Sequence, residues 1–530
     1  MISPNNMRKK IEITSKLTKP SKPAYYGTAG YRSKDSDVVN IITRAAFIAF
    51  LRSSSFAGKR IGLIITASHN PIEYNGVKFI DHNGNMLDNS WERCSDELVN
   101  CEDKDFSNVL NKIFRKNSNF GDVDDGVTGH VVVGRDTRES GIEIIESIKK
   151  ELQQVDCTVE DYGVVTTPEM HFLIRQCNLE NKFVNKSEYI TSLVKKYLRL
   201  SELTNNNIFT YVDTSNGVVG LKFVEMESLI NEKLDYMILN EKDGVLNQNC
   251  GADFVKTKMM PPIITSDVLR AKTKGLYVSF DGDADRLIMF NFENDFTIFD
   301  GDAQASFLAN QFELLINQID AQLTIGIILS YYSNDAVFNE IKRFKTLRKT
   351  TGVKNFVKAA RKYDIGIYFE PNGHGSVVFS NTAFKTFESG DTTQHEILRI
   401  MSQMFDPSIG DALANFLVFK ALIKSADTIK TYQDYPSRLM TVKVKDKNLI
   451  QVNKSNEVLI PTNLQELINS EAKKFNGRSF VRPSGTEDLV RIYAESPNAS
   501  DTDFLAVKVA QHVYDNCEGV GDHPEIDYSK

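Results

Sequence analysis

Cysteine is scarce in this chain of 530 residues: the six present (Cys94, Cys101, Cys157, Cys177, Cys250, Cys517) include no CxxC pair. That scatter argues against a disulfide framework or a cysteine zinc site and suits a reducing compartment. Long apolar runs are missing too. No segment approaches the ~18 consecutive apolar residues of a membrane-crossing helix. The start, Met1 to Pro20, is polar, with Arg8-Lys9-Lys10 leading into no apolar stretch, so neither a signal peptide nor a span is expected. Nor is there an excess of positive charge: 63 Lys+Arg stand against 70 Asp+Glu, a net charge of −7. With no long basic run, a nucleic-acid partner is not expected, and any anionic ligand must be held by local groups. Solenoid-length repeats and low-complexity tracts are also absent. These absences lead to the expectation of a soluble, cytoplasmic, multidomain protein.

What is present is 41% hydrophobic residues, enough for real cores in about three to four domains. Strand-like and helix-like patterns alternate along the chain. Val38 to Phe50 reads as an apolar helix, Ile61 to Ile65 as a buried strand and His130 to Gly134 as another. A helix over Arg138 to Gln153 follows, with Ile142, Ile145 and Ile148 at helical spacing. Thr167-Pro168-Glu169 looks like a helix start with Thr167 as the capping hydroxyl. Later cycles hold strands at Leu276 to Phe280, Leu287 to Phe290, Leu323 to Leu329 and Ile365 to Phe369. The final region offers Leu439 to Val444, Phe480-Val481 and Leu489 to Ala494, then an amphipathic helix over Asp503 to Tyr514. Such alternation favours α/β domains with parallel-rich sheets, whose ligands gather at strand ends.

Several strand ends carry chemistry. Thr66-Ala67-Ser68-His69-Asn70-Pro71 follows the Ile61 to Ile65 run, and Asn70-Pro71 cannot continue a ladder. Ser68 is therefore expected exposed at a strand end, as a hydroxyl able to accept a phosphoryl group or as part of a polar turn. Asp281, Asp283 and Asp285 place three carboxylates at alternate positions of one loop, where their repulsion favours a bound cation with hard oxygen ligands, Mg²⁺ or a similar ion. An EF-hand also begins this way but requires Gly sixth and Glu twelfth; here those positions hold Arg286 and Phe292. Arg482-Pro483-Ser484-Gly485-Thr486, with Arg491, has the inventory of a phosphate cradle and equally that of a hairpin with incidental arginines. Glu370-Pro371-Asn372-Gly373-His374-Gly375 offers a carboxylate, an amide and glycines suited to sugar hydroxyls or an acetamido group. His374 on its own reads as structural. Arg32 ends the turn Tyr26-Gly27-Thr28-Ala29-Gly30-Tyr31, as a phosphate-steadying guanidinium or a surface arginine.

Together, and in this order, these stretches resemble the α-D-phosphohexomutase superfamily, and within it the eukaryotic phosphoacetylglucosamine mutases. The resemblance runs from Tyr26 to Arg491. Thr66 to Pro71 with Asn75-Gly76-Val77-Lys78, the Asn372-Gly373-His374-Gly375 turn and Cys250-Gly251-Ala252-Asp253-Phe254-Val255-Lys256 mark the subfamily. Pro371 departs from the family pattern, and a proline there removes a backbone donor. The resemblance implies three related α/β domains with mixed sheets plus a C-terminal α+β domain around a central cleft, divided here as 1–180, 181–296, 297–409 and 410–530.

It further implies interconversion of N-acetylglucosamine 6-phosphate and 1-phosphate, on the route to UDP-N-acetylglucosamine, through a sugar 1,6-bisphosphate that is both intermediate and activator. In that reading Ser68 is the phosphoserine, and Mg²⁺ is held by Ser68, Asp281, Asp283 and Asp285. Arg32 and Arg286 add positive charge, and Lys78 aids proton transfer or charge neutralisation. Glu370, Pro371 and Asn372 meet the sugar. Arg482, Pro483, Ser484, Gly485, Thr486 and Arg491 grip the phosphate that is not being transferred. The partner is a small sugar phosphate, with no membrane or nucleic acid involved and no oligomeric state assigned. Two alternatives stay open: the same chemistry on glucose or mannose phosphates, and a sugar-phosphate-binding protein without turnover.

Overall fold

The computed structural model describes residues 11–13, 17–28, 30–34, 36–117, 128–206, 208–230, 235–241, 244–263, 275–292, 296–425, 429–453, 455–484 and 487–525. They fall into two compact units, one built from 1–300, 372–378 and 387–426, the other from 301–371, 379–386 and 427–530. No helix among the described residues is long and apolar enough to cross a membrane.

The first unit holds two five-stranded sheets. One is formed by β1 (Tyr31–Ser33), β2 (Ile61–Ile65), β3 (Asn75–Ile80), β4 (Gly129–Arg135) and β5 (Cys157–Val164), in the order β1-β3-β2-β4-β5. Strands β2, β4 and β5 run parallel, while β3 is antiparallel to both neighbours. Alternate residues enter different cores, as the two-residue period of a strand requires. Leu63, Ile65, Val131 and Val133 pack with Phe47, Ile144 and Ile148 from helices Val38–Ser54 and Ser140–Leu152. Ile64, Ile80 and Val132 pack instead with Met170, Leu173 and Ile174 of helix Thr167–Glu180. Ile142 does not join the first group. It is 51% exposed, because the stripe reaching back from Ile145, Ile148 and Leu152 passes through Gly141 and Ile144.

The second sheet contains β6 (Thr210–Asp213), β7 (Tyr236–Leu239), β8 (Leu276–Phe280), β9 (Leu287–Asn291) and β10 (Thr297–Phe299), ordered β10-β9-β8-β6-β7. Strands β7, β6 and β8 are parallel, whereas β9 and β10 are antiparallel. Both sheets are mixed, as the family resemblance implies, whereas strand–helix alternation alone favours parallel-rich ones. The reason is connection length: only Asp281–Arg286 joins β8 to β9, and a parallel crossover needs about a dozen residues or more.

In the second unit β11 (Ile325–Ser330), β12 (Lys345–Lys349) and β13 (Ile365–Phe369) are parallel, with β11 in the middle. After β13 the chain passes through Glu370–His374 into β14 (Gly375–Phe379). Near the C-terminus β15 (Ser437–Lys443), β18 (Arg478–Pro483) and β19 (Leu489–Glu495) form an antiparallel sheet ordered β15-β19-β18, beside the pair β16 (Gln451–Val452) and β17 (Val458–Ile460). Val442, Val481, Val490 and Ile492 of that sheet pack on Leu505, Val509 and Val513 of helix Ala499–Asn516. The α/β segments followed by an α+β C-terminal region agree with the expected fold class.

Candidate active site

Ser68 lies three residues beyond β2, at the end of the sheet where β2, β4 and β5 all finish. Its φ of 51° is left-handed, a conformation that costs a non-glycine residue about 1–3 kcal/mol unless its surroundings enforce it. The surroundings do. Ser68 N–H donates to Thr66 Oγ1 (2.8 Å), and Thr66 Oγ1 donates to the buried Asp136 (2.6 Å). The Ser68 carbonyl accepts from Asn247 Nδ2 (2.8 Å) and Arg138 Nη2 (3.3 Å). The same two groups reach the Asn70 carbonyl at 3.1 and 2.6 Å, and Arg138 is anchored by its ion pair with Asp136. The expected exposed hydroxyl is therefore a buried one, with 0% of the residue accessible. Besides these groups, the Asp281–Arg286 loop covers it so closely that a Cβ on Gly282 would stand 2.8 Å from the Ser68 carbonyl oxygen.

That loop supplies the hydroxyl's partner: Ser68 Oγ donates to Asp281 Oδ2 at 2.7 Å. One ligand oxygen from each of Asp281, Asp283 and Asp285 falls within 4.8 Å of the others, and all three residues are buried. Asp281 Oδ1 accepts the backbone N–H groups of Asp285 (3.0 Å) and Arg286 (3.1 Å). Lys78 Nζ bridges Asp283 Oδ2 and Asp285 Oδ2, 2.7 Å from each. Asp283 Oδ1 and Asp285 Oδ1 have no hydrogen-bond partner although both are buried. Burial, with Asp285 and Asp283 alongside, pushes the Asp281 carboxyl well above its ordinary value. Burial opposes ionisation of Asp283 as well, but Lys78 and Thr167 outweigh it and hold that carboxyl low. For Lys78 burial favours the neutral amine, and Asp283 and Asp285 reverse the balance in favour of the cation.

More positive groups surround the cluster. Arg286 Nε is 3.8 Å from Asp285 Oδ1 and 4.0 Å from Asp281 Oδ2. Arg32 Nη1 donates to Asn70 Oδ1 (2.9 Å), and its buried Nε has no hydrogen-bond partner. Burial and the neighbouring Arg286 and Arg32 depress the His69 imidazole to about 2, leaving it neutral. His374 joins the cluster too, with Nδ1 3.7 Å from Asp285 Oδ1. Its Nε2 accepts from Gly410 N–H (3.3 Å), which in the neutral ring places the proton on Nδ1, facing the carboxylate.

The first unit thus brings together Ser68, Lys78, Arg32, Asp281, Asp283 and Asp285. Asn372 is also in this unit, and its Oδ1 accepts from His374 N–H (3.0 Å). Glu370 and Pro371 belong to the second unit, where the Glu370 carbonyl oxygen lies only 1.9 Å from where a Cβ on Gly301 would stand. Arg482 and Arg491 are also there, directly opposite each other on β18 and β19, so both side chains leave the same face of the sheet. Like charges so paired are unfavourable without an anion. Arg482 Nη1 donates to Thr351 Oγ1 (3.2 Å), and Ser484 Oγ accepts from Glu487 N–H (3.4 Å). Pro483 ends β18. Gly485, Thr486 and Ala29 lie outside the described residues.

Residues 37–101 and 114–184 match the phosphoglucomutase/phosphomannomutase alpha/beta/alpha domain I, 300–428 match phosphoacetylglucosamine mutase AMG1, domain III, and 439–512 match the phosphoglucomutase/phosphomannomutase C-terminal domain. A probable phosphoacetylglucosamine mutase of Encephalitozoon cuniculi is 54% identical over 518 residues, covering 97% of this chain and 98% of that protein. The chain belongs to the phosphoacetylglucosamine mutases. The phosphoacetylglucosamine mutase of Homo sapiens is 33% identical over 528 residues, covering 94% of this chain and 95% of its own. Among solved structures, Aspergillus fumigatus N-acetylphosphoglucosamine mutase superposes with a TM-score of 0.87 at 32% identity, covering 94% of this chain and 96% of that one. The same Aspergillus enzyme in complex with GlcNAc-6P and magnesium gives a TM-score of 0.86 at 32% identity, covering 94% and 97%.

The donor set fits a hard divalent cation: three carboxylates converge, and two of their buried oxygens have no hydrogen-bond partner. Four residues around the site were not read as functional from sequence. Arg138 and Asn247 hold the serine loop from distant segments. His374 read as structural. Thr167 read as a helix cap, but the cap is Thr166, whose Oγ1 accepts from Glu169 N–H. This frees the Thr167 hydroxyl to donate to Asp283 Oδ2 (2.6 Å). The consecutive pair Thr166-Thr167 ahead of a proline was the available signal.

Proposed function

We propose that this chain interconverts N-acetylglucosamine 6-phosphate and N-acetylglucosamine 1-phosphate, in UDP-N-acetylglucosamine biosynthesis in the cytoplasm, through phosphorylated Ser68 and a sugar 1,6-bisphosphate. The observation that carries this reading is the buried Ser68 hydroxyl, aimed at Asp281 Oδ2 within the carboxylate cluster. In the forward half-reaction the bond from Ser68 Oγ to phosphorus breaks as the free sugar hydroxyl bonds to phosphorus, the sugar hydroxyl giving up its proton and Ser68 Oγ ending as a hydroxyl. In the return half-reaction Ser68 Oγ bonds to the other phosphorus of the turned bisphosphate as that phosphorus separates from its sugar oxygen; Asp281 Oδ2, within hydrogen-bond reach, takes the serine proton, and the freed sugar oxygen ends as a hydroxyl by taking up one proton.

Asp281, Asp283 and Asp285, with an oxygen on Ser68, would hold Mg²⁺, which when bound supplies a Lewis acid at the moving phosphoryl group. Lys78, kept protonated between two carboxylates, acts as a fixed charge rather than as a base. Arg32 adds a second fixed charge beside the serine loop. Glu370, Pro371 and Asn372 contact the sugar. Arg482, Pro483, Ser484, Gly485, Thr486 and Arg491 take the phosphate that stays attached, so that its binding energy orients the reacting hydroxyl. The division into 1–180, 181–296, 297–409 and 410–530 assigns one of these loops to each domain. The test is phosphorus NMR of N-acetylglucosamine 6-phosphate incubated with enzyme, Mg²⁺ and a catalytic amount of bisphosphate. The 1-phosphate should appear with kcat/KM above that for glucose 6-phosphate; equal values would move the chain to a glucose-phosphate substrate.

A further inference from the structure

One residue grips Asp283 at two points. Thr167 N–H donates to the Asp283 carbonyl (3.0 Å), and Thr167 Oγ1 donates to Asp283 Oδ2 (2.6 Å). Lys78 Nζ meets that same Oδ2 at 2.7 Å. The other oxygen, Oδ1, is buried without a hydrogen-bond partner. Turning the carboxylate over would exchange the two oxygens only by breaking both side-chain bonds on the way. Oδ1 is thereby the oxygen offered to an ion.

The grip has its own support. Thr167 opens helix Thr167–Glu180, whose first N–H groups have no partner within the helix and point outward, toward the metal loop in the case of Thr167. A reciprocal capping box fixes this end: Glu169 N–H donates to Thr166 Oγ1 and Thr166 N–H to Glu169 Oε2, each at 3.1 Å. Glu169 Oε1 accepts from Lys222 Nζ (2.9 Å) on helix Val218–Glu227, and both side chains are buried. A buried pair of this kind adds little net stability, and its best-attested use is to specify one arrangement. Here it fixes the helix end that carries Thr167.

We propose that Thr167 is a positioning residue that presents Asp283 Oδ1 as an ion ligand. This rests on the reading of Asp281, Asp283 and Asp285 as ligands of a divalent cation. Mn²⁺ binding to the full-length protein, followed by the electron paramagnetic resonance of the free ion, reports the site without turnover. Thr167→Val keeps the shape and removes the hydroxyl; it should weaken Mn²⁺ about tenfold, the order of one hydrogen bond to a charged group. Thr167→Ser keeps the hydroxyl and should bind as the natural protein does. In assays Thr167→Val should raise the Mg²⁺ half-saturation concentration and leave KM for the sugar phosphate unchanged, a split that a merely structural role would not produce. Equal Mn²⁺ affinity of Thr167→Val and the natural protein overturns the proposal. So does a Thr167→Ser protein that binds poorly, an arm that stands even if Thr167→Val melts early. Undiminished Mn²⁺ binding by Asp283→Ala would instead remove the premise that the aspartates are the ligands.

Discussion

Ser68 Oγ donates to Asp281 Oδ2 at 2.7 Å across 213 residues of chain. The bond ties the end of one sheet to a hairpin loop of another. The nucleophile and the carboxylates are thus placed by two separate cores, and disturbing either core should reach the chemistry through this contact.

Lys78 Nζ lies 2.7 Å from two buried carboxylates. Lys78→Met removes the charge that lets Asp283 and Asp285 stay ionised, and breaking a buried pair from one side costs about 3–5 kcal/mol. The thermal midpoint in ion-free buffer should fall, and saturating Mg²⁺ should recover part of the loss by restoring positive charge between the carboxylates. An unchanged midpoint without the ion would show that the lysine does not balance them.

Gly373 has φ 86°, and a Cβ there would stand 2.0 Å from the Leu287 carbonyl oxygen, whose strand opens directly after the metal loop. Gly373→Ala must displace either that strand or the His374 turn, at a cost of about 1–3 kcal/mol in left-handed strain alone. Turnover should drop by more than tenfold while circular dichroism keeps its native shape. Activity near that of the natural protein would mean that the turn has room to move.

Burial pushes the Asp411 carboxyl up to about 7, against the opposing pull of Ala414 N–H and the Tyr189 hydroxyl. The folded chain therefore holds this proton over a range where the unfolded chain, at its ordinary 3.8, has released it. Stability from this group is therefore full below the unfolded value and is lost as pH rises through about 7. Asp411→Asn, which keeps a capping oxygen, should match the natural protein near pH 4 and exceed it above pH 8, by at most about 4 kcal/mol at ~1.4 kcal/mol per pKa unit. Denaturant unfolding at both pH values would measure the difference. A gap that does not widen with pH would contradict the assignment.

What could be read from sequence was what lies contiguous in it. The Ile61–Ile65 strand shows in its apolar run, and the aspartate triad in its spacing, because each is a local pattern. The antiparallel turn between β8 and β9 was legible as well, from the shortness of Asp281–Arg286, though the strand–helix alternation pointed the other way. Thr167, Arg138 and Asn247 were not legible as site residues: each acts on a group 68 to 179 residues away, and no local pattern marks such a partner. Ser68 was misplaced for the same reason. A polar turn after a strand reads as exposed until the segments that fold over it are known.

In the proposed mechanism Ser68 carries the phosphoryl group between the two positions of the sugar. Its most direct measurement is intact and peptide mass after incubation with the sugar 1,6-bisphosphate, followed by addition of unphosphorylated-site substrate, N-acetylglucosamine 6-phosphate. One phosphate should appear on the peptide containing Ser68 and be lost to the added substrate, and none should appear on Ser68→Ala, which should keep its fold and lose nearly all turnover. Phosphate on another residue, or ordinary turnover by Ser68→Ala, would contradict it.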